Sequence, residues 1–266
     1  MSEALIITLR ETLEAALVVG ILLAYLNKTL NFKHRKYIWW GVGAGVALSV
    51  VLAFVFQSFF GGFEGKMEEL YEGVTMIVAA GLLTWMILWM LRQRKAIKKN
   101  LEDKAQMHIE KDHYWGLFWL TFVGVAREGI EMVIFLQAAV VNSSGMGVLS
   151  GAVLGIVLAL VMAYVLFKGI VRVPLKAFFT FTGVLLILFA AGLFAHGIPE
   201  FQEAGVLPIY IEHLWDVNNV IDEKGSFGSI MKGLFGYNGN PSLLETGGYV
   251  LYLVLISLAW WKIERN

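Results

Sequence analysis

The sequence predicts an all-α membrane protein, with seven transmembrane helices arranged as a 3+3 inverted repeat plus a C-terminal helix. The chain is 58% hydrophobic and its mean hydropathy is +0.69, whereas soluble domains are about 45–50% apolar. Several apolar runs exceed about 18 residues, the length that crosses a hydrocarbon core of about 30 Å. Basic and acidic connections alternate along the chain, and its second half echoes the first. These observations exclude a soluble globular fold.

The apolar runs give the order of the elements. They predict spans at roughly 4–26, 38–60, 72–91, 116–140, 147–168, 176–196 and 247–262. The chain is then one membrane domain, 1–266, with repeat one at about 4–91, repeat two at about 116–196, an extracytoplasmic loop at 197–246 and a final helix at 247–262. Inside that loop, the apolar stretch 204–215 predicts a short helix lying on the membrane surface.

The connections differ in charge in a regular way. Those at 27–37, 92–115 and 169–175, with flanking residues and the C-terminal tail, hold 16 of the 21 Lys and Arg. The N-terminus and the remaining connections hold 12 of the 21 Asp and Glu. Since basic loops stay in the cytoplasm, we expect a multi-pass protein of the plasma or inner membrane with its N-terminus outside and its C-terminus in the cytoplasm.

The second and fifth spans share a pattern of small and apolar residues. Gly41 and Gly45 match Gly151 and Gly155, and "AAGL" recurs at 79–82 and 190–193. Three spans per unit place the second copy upside down in the membrane. Inverted repeats are typical of transporters, which bind their substrate near the midplane between the two copies.

Each repeat opens with a span that carries charge. The first contains "RETLE" and the fourth contains "REGIE", which supply Arg10, Glu11, Glu14, Arg127, Glu128 and Glu131. A charged side chain costs about 2.5–3.5 kcal/mol at the centre of an inserted helix, so such residues mark functional sites. In a helix the two Glu of each motif share a face, and the Arg can pair with the Glu four residues on. Each motif lies near the middle of its span, so both motifs reach a similar depth although the two spans run in opposite directions.

The cluster that these motifs would form has an excess of negative charge. Two Arg neutralise two of the four Glu, and the remaining charge favours a multivalent cation, because buried charge must be paired or bound to metal. Carboxylate oxygens suit a hard or borderline ion. The chain has no cysteine, and neither span contains His to favour a softer metal.

The two motifs resemble the Arg-Glu-x-x-Glu signatures of the iron permease family, oxidase-dependent iron transporters that include fungal high-affinity permeases and bacterial EfeU-type permeases. The resemblance extends to the length, the seven spans and "AAGLFAHGIPEFQEAG" after the sixth span. Thr12 stands where the family more often has Gly. The resemblance implies uptake of Fe2+ or Fe3+ as substrate, with Glu11, Glu14, Glu128 and Glu131 as ligands and Arg10 and Arg127 as their partners. It also implies an extracytoplasmic oxidase, peroxidase or iron-binding protein as partner.

Acidic residues on the outer side suggest how a cation reaches the site. We expect an access path that includes Glu64, Glu68, Glu69, Glu72, His196, Glu200 and Glu203. His108 and His113, in the basic loop, we interpret as solvated residues.

Alternative functions remain at this point. One is a permease for another divalent ion such as manganese or lead. Another is an intramembrane enzyme with a carboxylate–metal site, although no span has the Glu-x-x-His pairs of di-iron bundles. We expect no enzymatic activity, no cofactor and no nucleic-acid partner.

Overall fold

The structure is a computed structural model that describes residues 1–60, 65–93, 101, 103–107, 114–142, 145–169, 175–223 and 225–265. All regular secondary structure among these residues is helical. No strand occurs among them.

Seven long helices and one short helix carry the described fold. The long helices are α1 Ser2–Lys28, α2 Arg35–Phe60, α3 Lys66–Gln93, α4 Trp115–Asn142, α5 Gly145–Phe167, α6 Leu175–Glu203 and α8 Leu243–Arg265, and the short helix is α7 Ser226–Phe235. A 3-10 turn, Phe32–His34, precedes α2. Five of these helices are long and apolar enough to cross a membrane. The two long helices that fall outside this group, α1 and α4, are those that carry the charged motifs.

Two helices extend furthest beyond the predicted spans. Helix α3 begins at Lys66 rather than near residue 72, and α6 continues to Glu203 rather than ending near 196. The apolar pattern marks the hydrocarbon core, whereas helical hydrogen bonding continues into the polar interface. The acidic residues at these ends therefore lie on helices.

The predicted surface helix at 204–215 is wrong. After the buried Ala204 this stretch is irregular and mostly exposed, and the φ of +75° at Gly205 prevents α6 from continuing into it. The helix of this connection is α7, which ends at Gly236 with a φ of +65°. Gly236 packs against the backbone of Gly192. Gly192 lies eleven residues before the end of α6, so α7 reaches about 16 Å along α6 rather than lying at its tip.

The long helices pack in pairs through small residues. Helix α1 runs parallel to α5, where a Cβ at Gly155 would lie 2.5 Å from Leu5 O and 3.0 Å from Leu9 N. Helix α2 runs parallel to α4 in the same way, since a Cβ at Gly45 would lie 3.0 Å from Val125. The close approach that these glycines allow brings helix backbones together as in other membrane bundles.

The third pair and the central crossing are antiparallel. Helix α3 crosses α6 at Gly73 and Gly197, where a Cβ on either glycine would lie 3.3 Å from the carbonyl oxygen of the other. Helix α1 crosses α4, with Val18 against Gly124. This central crossing positions the two charged motifs.

Candidate metal site

Carboxylates from α1 and α4 meet at the crossing of the two helices. Oxygens of Glu11, Glu128 and Glu131 all lie within 4.8 Å of one another. Glu128 and Glu131 are three residues apart and share a face of α4, and the antiparallel crossing aims Glu11 at them. The antiparallel crossing thus brings together carboxylates that are more than a hundred residues apart in sequence.

These carboxylates are buried and only partly satisfied. Glu11 and Glu128 are buried, and Glu131 is half-buried. The Oε2 atom of each of the three has no hydrogen-bond partner among the described residues. A buried carboxylate oxygen without a partner is costly. Three such oxygens at one point form the kind of donor set that a hard or borderline cation satisfies.

Arg10 is fully buried between the carboxylates of its own helix. Its Nη1 donates to Glu11 Oε1 at 2.9 Å, and its Nη2 lies 3.0 Å from Glu14 Oε1. Its Nε has no hydrogen-bond partner within the described part of the chain. Glu14 is outside the group of three mutually close carboxylates and is held by Arg10 instead.

Arg127 makes the corresponding contacts on α4 but is less enclosed. Its Nε donates to Glu131 Oε1 at 2.8 Å and lies 3.9 Å from Glu128 Oε1. The side chain is 34% exposed, against 1% for Arg10. Arg127 and Glu131 are the charged members of an otherwise apolar groove of about 440 Å³ between α2, α3 and α4.

Helix α3 contacts both arginines with uncharged groups. The sulfurs of Met86 and Met90 accept hydrogen bonds from Arg10, and the ring of Trp89 lies 4.3 Å from the Arg127 guanidinium carbon. The sequence analysis missed these residues because Met and Trp in an apolar span carry no charge or motif. The available clue was the Trp-Met pair that recurs after four residues in "WMILWM", which begins at Trp85.

Five of the predicted access-path residues lie together where α3 meets α6. Glu200 on α6 interacts electrostatically with Glu203 and with three glutamates of α3. Those of α3 are Glu68, Glu69 and Glu72. Glu64, His108 and His113 lie outside the described residues.

His196 is separate from this acidic group. Its Nε2 lies 3.6 Å from Oε1 of Glu245 on α8. Glu245 is buried, and it accepts two hydrogen bonds of 2.9 Å from the Asn238 side chain. The sequence analysis missed Glu245 because it precedes the predicted final span by two residues and resembles a loop residue. His196 and Glu245 therefore join α6 to the first turn of α8.

The long apolar helices indicate a multi-pass membrane protein, and carboxylates buried inside such a helix bundle are typical of ion and substrate pathways. The model of the Iron permease FTR1 family matches residues 1–261. The chain is 36% identical to "Ferrous iron permease EfeU" of Escherichia coli O6:K15:H31 (strain 536 / UPEC) over 251 residues, which cover 94% of this chain and 91% of the relative. It is 34% identical to the protein of the same name from Yersinia pestis over 264 residues, 98% of this chain and 93% of the relative.

The chain therefore belongs to the Iron permease FTR1 family. A further relative, from Escherichia coli (strain K12), is 36% identical and is named "Putative inactive ferrous iron permease EfeU". No solved structure matches the chain. The resemblance that the two motifs suggested is confirmed, and relatives that are permeases agree with the prediction of a transporter rather than an enzyme.

Proposed function

We propose that this chain moves Fe2+ into the cytoplasm through a midplane site that the two Arg-Glu-x-x-Glu motifs build. The observation that carries the proposal is the meeting of Glu11, Glu128 and Glu131 oxygens within 4.8 Å, each residue with an unsatisfied oxygen. These three carboxylates are the first ligands, and Glu14 completes the set when Arg10 releases it. Relatives named as ferrous iron permeases support iron as the cargo.

Charge balance favours the ferrous ion. The four motif glutamates and two arginines leave two negative charges, which one Fe2+ neutralises. A trivalent ion would leave an excess positive charge in a low-dielectric site, at a cost of several kcal/mol after relaxation. Inward movement of two positive charges gains roughly 4.6 kcal/mol at 100 mV, inside negative. The membrane potential alone is therefore an adequate driving force.

The proposed architecture is a 3+3 inverted repeat with the site on its pseudo-two-fold axis. The axis would exchange α1 with α4 and α2 with α5, and so would exchange the α1–α5 pair with the α2–α4 pair. The contacts agree with this exchange, because Gly155 packs on Leu5 and Leu9 as its repeat counterpart Gly45 packs on Val125 and Ala126. The parallel and antiparallel directions of the pairs also fit seven successive crossings.

In the proposed topology the N-terminus is outside, and the acidic group of α3 and α6 faces the outside. Glu72 and Glu200 lie side by side there because the glycine crossing at Gly73 brings their backbones close. This group concentrates cations from solution and passes them toward the carboxylates. An extracytoplasmic oxidase, peroxidase or iron-binding protein would deliver iron at this same face.

Flux into proteoliposomes tests the function. Purified protein is reconstituted, an inside-negative potential is imposed, and uptake of radiolabelled Fe2+ is measured under reducing conditions. Glu131→Gln removes one charge and one good ligand at constant volume, so uptake should fall to the level of protein-free vesicles. Glu212→Gln, at an exposed loop position, is the matched control and should transport normally. Uptake by the Glu131→Gln variant at the parent rate would contradict the proposal.

A further inference from the structure

One turn and a half of α3 contacts the arginines of both motifs. In "WMILWM", residues 85–90, Met86 and Met90 are four residues apart and face Arg10, while Trp89 faces Arg127. All three groups are neutral. A thioether is a weak hydrogen-bond acceptor, and the face of an indole attracts a guanidinium electrostatically. The two arginines thus share one helix as a support that differs in chemistry from their carboxylate partners.

The transport site needs such a support because a bound metal ion weakens the hold of the carboxylates on the arginines. Arg10 is held by Glu11 and Glu14, and Arg127 by Glu131. A metal ion bound to the free Oε2 atoms of Glu11 and Glu131 withdraws negative charge from these carboxylates and so weakens their hold on the arginines through Oε1. Arg10 also loses Glu14 when that residue joins the ligands, and a guanidinium with weakened partners is costly in a low-dielectric site. A carboxylate support would hold each arginine permanently and add negative charge. A neutral group can bind the arginine while the carboxylates bind metal, and it can release the arginine when the metal leaves.

We propose that Met86, Met90 and Trp89 are positioning residues that hold Arg10 and Arg127 beside the site while iron occupies the carboxylates. The inference rests on the proposed function and assigns residues that act on the ligands only through the arginines. Trp89 serves Arg127, and the two methionines serve Arg10. When the contacts from α3 are weakened, the arginines bind the carboxylates more strongly in preference. Iron must then displace a more favourable arginine–carboxylate pair, so its Kd rises.

Progressive fluorination of the Trp89 ring tests the indole half. Tryptophans carrying one to four fluorines are incorporated at position 89 of the full-length protein, and the Kd for Fe2+ is measured by equilibrium binding. Fluorine withdraws electron density from the face of the ring and so weakens its attraction for a cation, with little change in the shape of the ring. A contact of this kind contributes about 0.5–2 kcal/mol, so the Kd should rise steadily, by about 2- to 30-fold in the tetrafluorinated protein. The same series at Trp119, an exposed residue of α4, should leave the Kd unchanged.

Substitution of both sulfurs tests the methionine half. The Met86→Leu, Met90→Leu double variant keeps the side-chain volume, so its melting temperature should stay close to the parent value. Its Kd for Fe2+ should rise about fivefold, and the KM for uptake should rise more than the maximal flux falls. A packing role alone would lower the melting temperature and leave the Kd unchanged.

The outcomes separate this inference from the proposed function. A flat fluorination series, or a double Leu variant with the parent Kd, in a protein that binds Fe2+ overturns the corresponding half of the inference and leaves the carboxylate site standing. A parent protein that binds no Fe2+ overturns both.

Discussion

The glycine contact between α1 and α5 makes a quantitative prediction about how the fold supports the site. Gly155→Ala places a methyl group 2.5 Å from Leu5 O, whereas an ordinary carbon–oxygen contact is about 3.3 Å. The two helices must therefore separate by about 0.8 Å or more. Separation lengthens the 3.0 Å contact between Thr8 Oγ1 and Ala152 O, one of two carbonyl oxygens, with Ala4 O, to which this hydroxyl can donate. Both effects act on α1 within the two turns that precede Glu11.

The cost follows from the two effects. Overpacking costs about 1–3 kcal/mol, and a hydrogen bond between membrane helices contributes about 0.6 kcal/mol on average. The sum lowers the melting temperature by roughly 4–10 °C in a chain of this size. Displacement of Glu11 should weaken Fe2+ binding by about 10-fold, the lower end of the range for residues that support metal ligands.

Thermal unfolding in detergent and equilibrium Fe2+ binding measure the two quantities. Gly43→Ala is the matched control, since a Cβ at Gly43 meets nothing within 4 Å. Gly45→Ala, the counterpart in the other repeat, should give a smaller loss of the same kind, because its closest contacts are 3.0 Å. A Gly155→Ala protein with the melting temperature and Fe2+ affinity of the Gly43→Ala protein would refute the reasoning.

Three further predictions concern orientation, access and the arginines. In this cysteine-free chain, Asn219→Cys should react from outside the cell with an impermeant thiol reagent and Lys33→Cys should not; the reverse labelling would overturn the orientation. Joint Glu200→Gln and Glu203→Gln should raise the KM for Fe2+ at low ionic strength, and the effect should shrink at high salt, where exposed charges are screened within about 8–10 Å; an unchanged KM at low salt would reduce them to solvated residues. Arg10→Lys should weaken Fe2+ binding at least 10-fold, because one ammonium cannot hold Glu11 and Glu14 together as the guanidinium does; an unaltered Kd would remove Arg10 from the site.

The sequence was informative where charge broke an apolar pattern. Arg and Glu inside a span are rare enough to identify α1 and α4 as the helices of the site, and their spacing predicts which side chains share a face. Rotation of one helix about its axis is not encoded in that spacing. This rotation determines which carboxylates meet: Glu11 lies beside Glu128 and Glu131, whereas Glu14 pairs with Arg10.

The sequence was uninformative where apolar residues act through their chemistry. Met86, Met90 and Trp89 have the hydropathy of any lipid-facing or core residue, and only the packing of α3 against the arginines distinguishes them. The same limit applies to the connection before α8. Its apolar stretch suggested a surface helix, but the positive φ at Gly205 ends α6 and the chain forms a helix only at α7.

Iron binding by single variants of the two helices tests the central claim most directly, namely that α1 and α4 together form one site. Purified parent protein should bind one Fe2+ per chain at this site. Glu11→Gln on α1 and Glu128→Gln on α4 should each weaken binding of that same ion severely, while both proteins keep the parent elution profile and the Glu212→Gln control binds normally. A Glu11→Gln protein that binds Fe2+ with the parent affinity, beside a Glu128→Gln protein that fails, would contradict the shared site and reduce the α1 motif to a packing element.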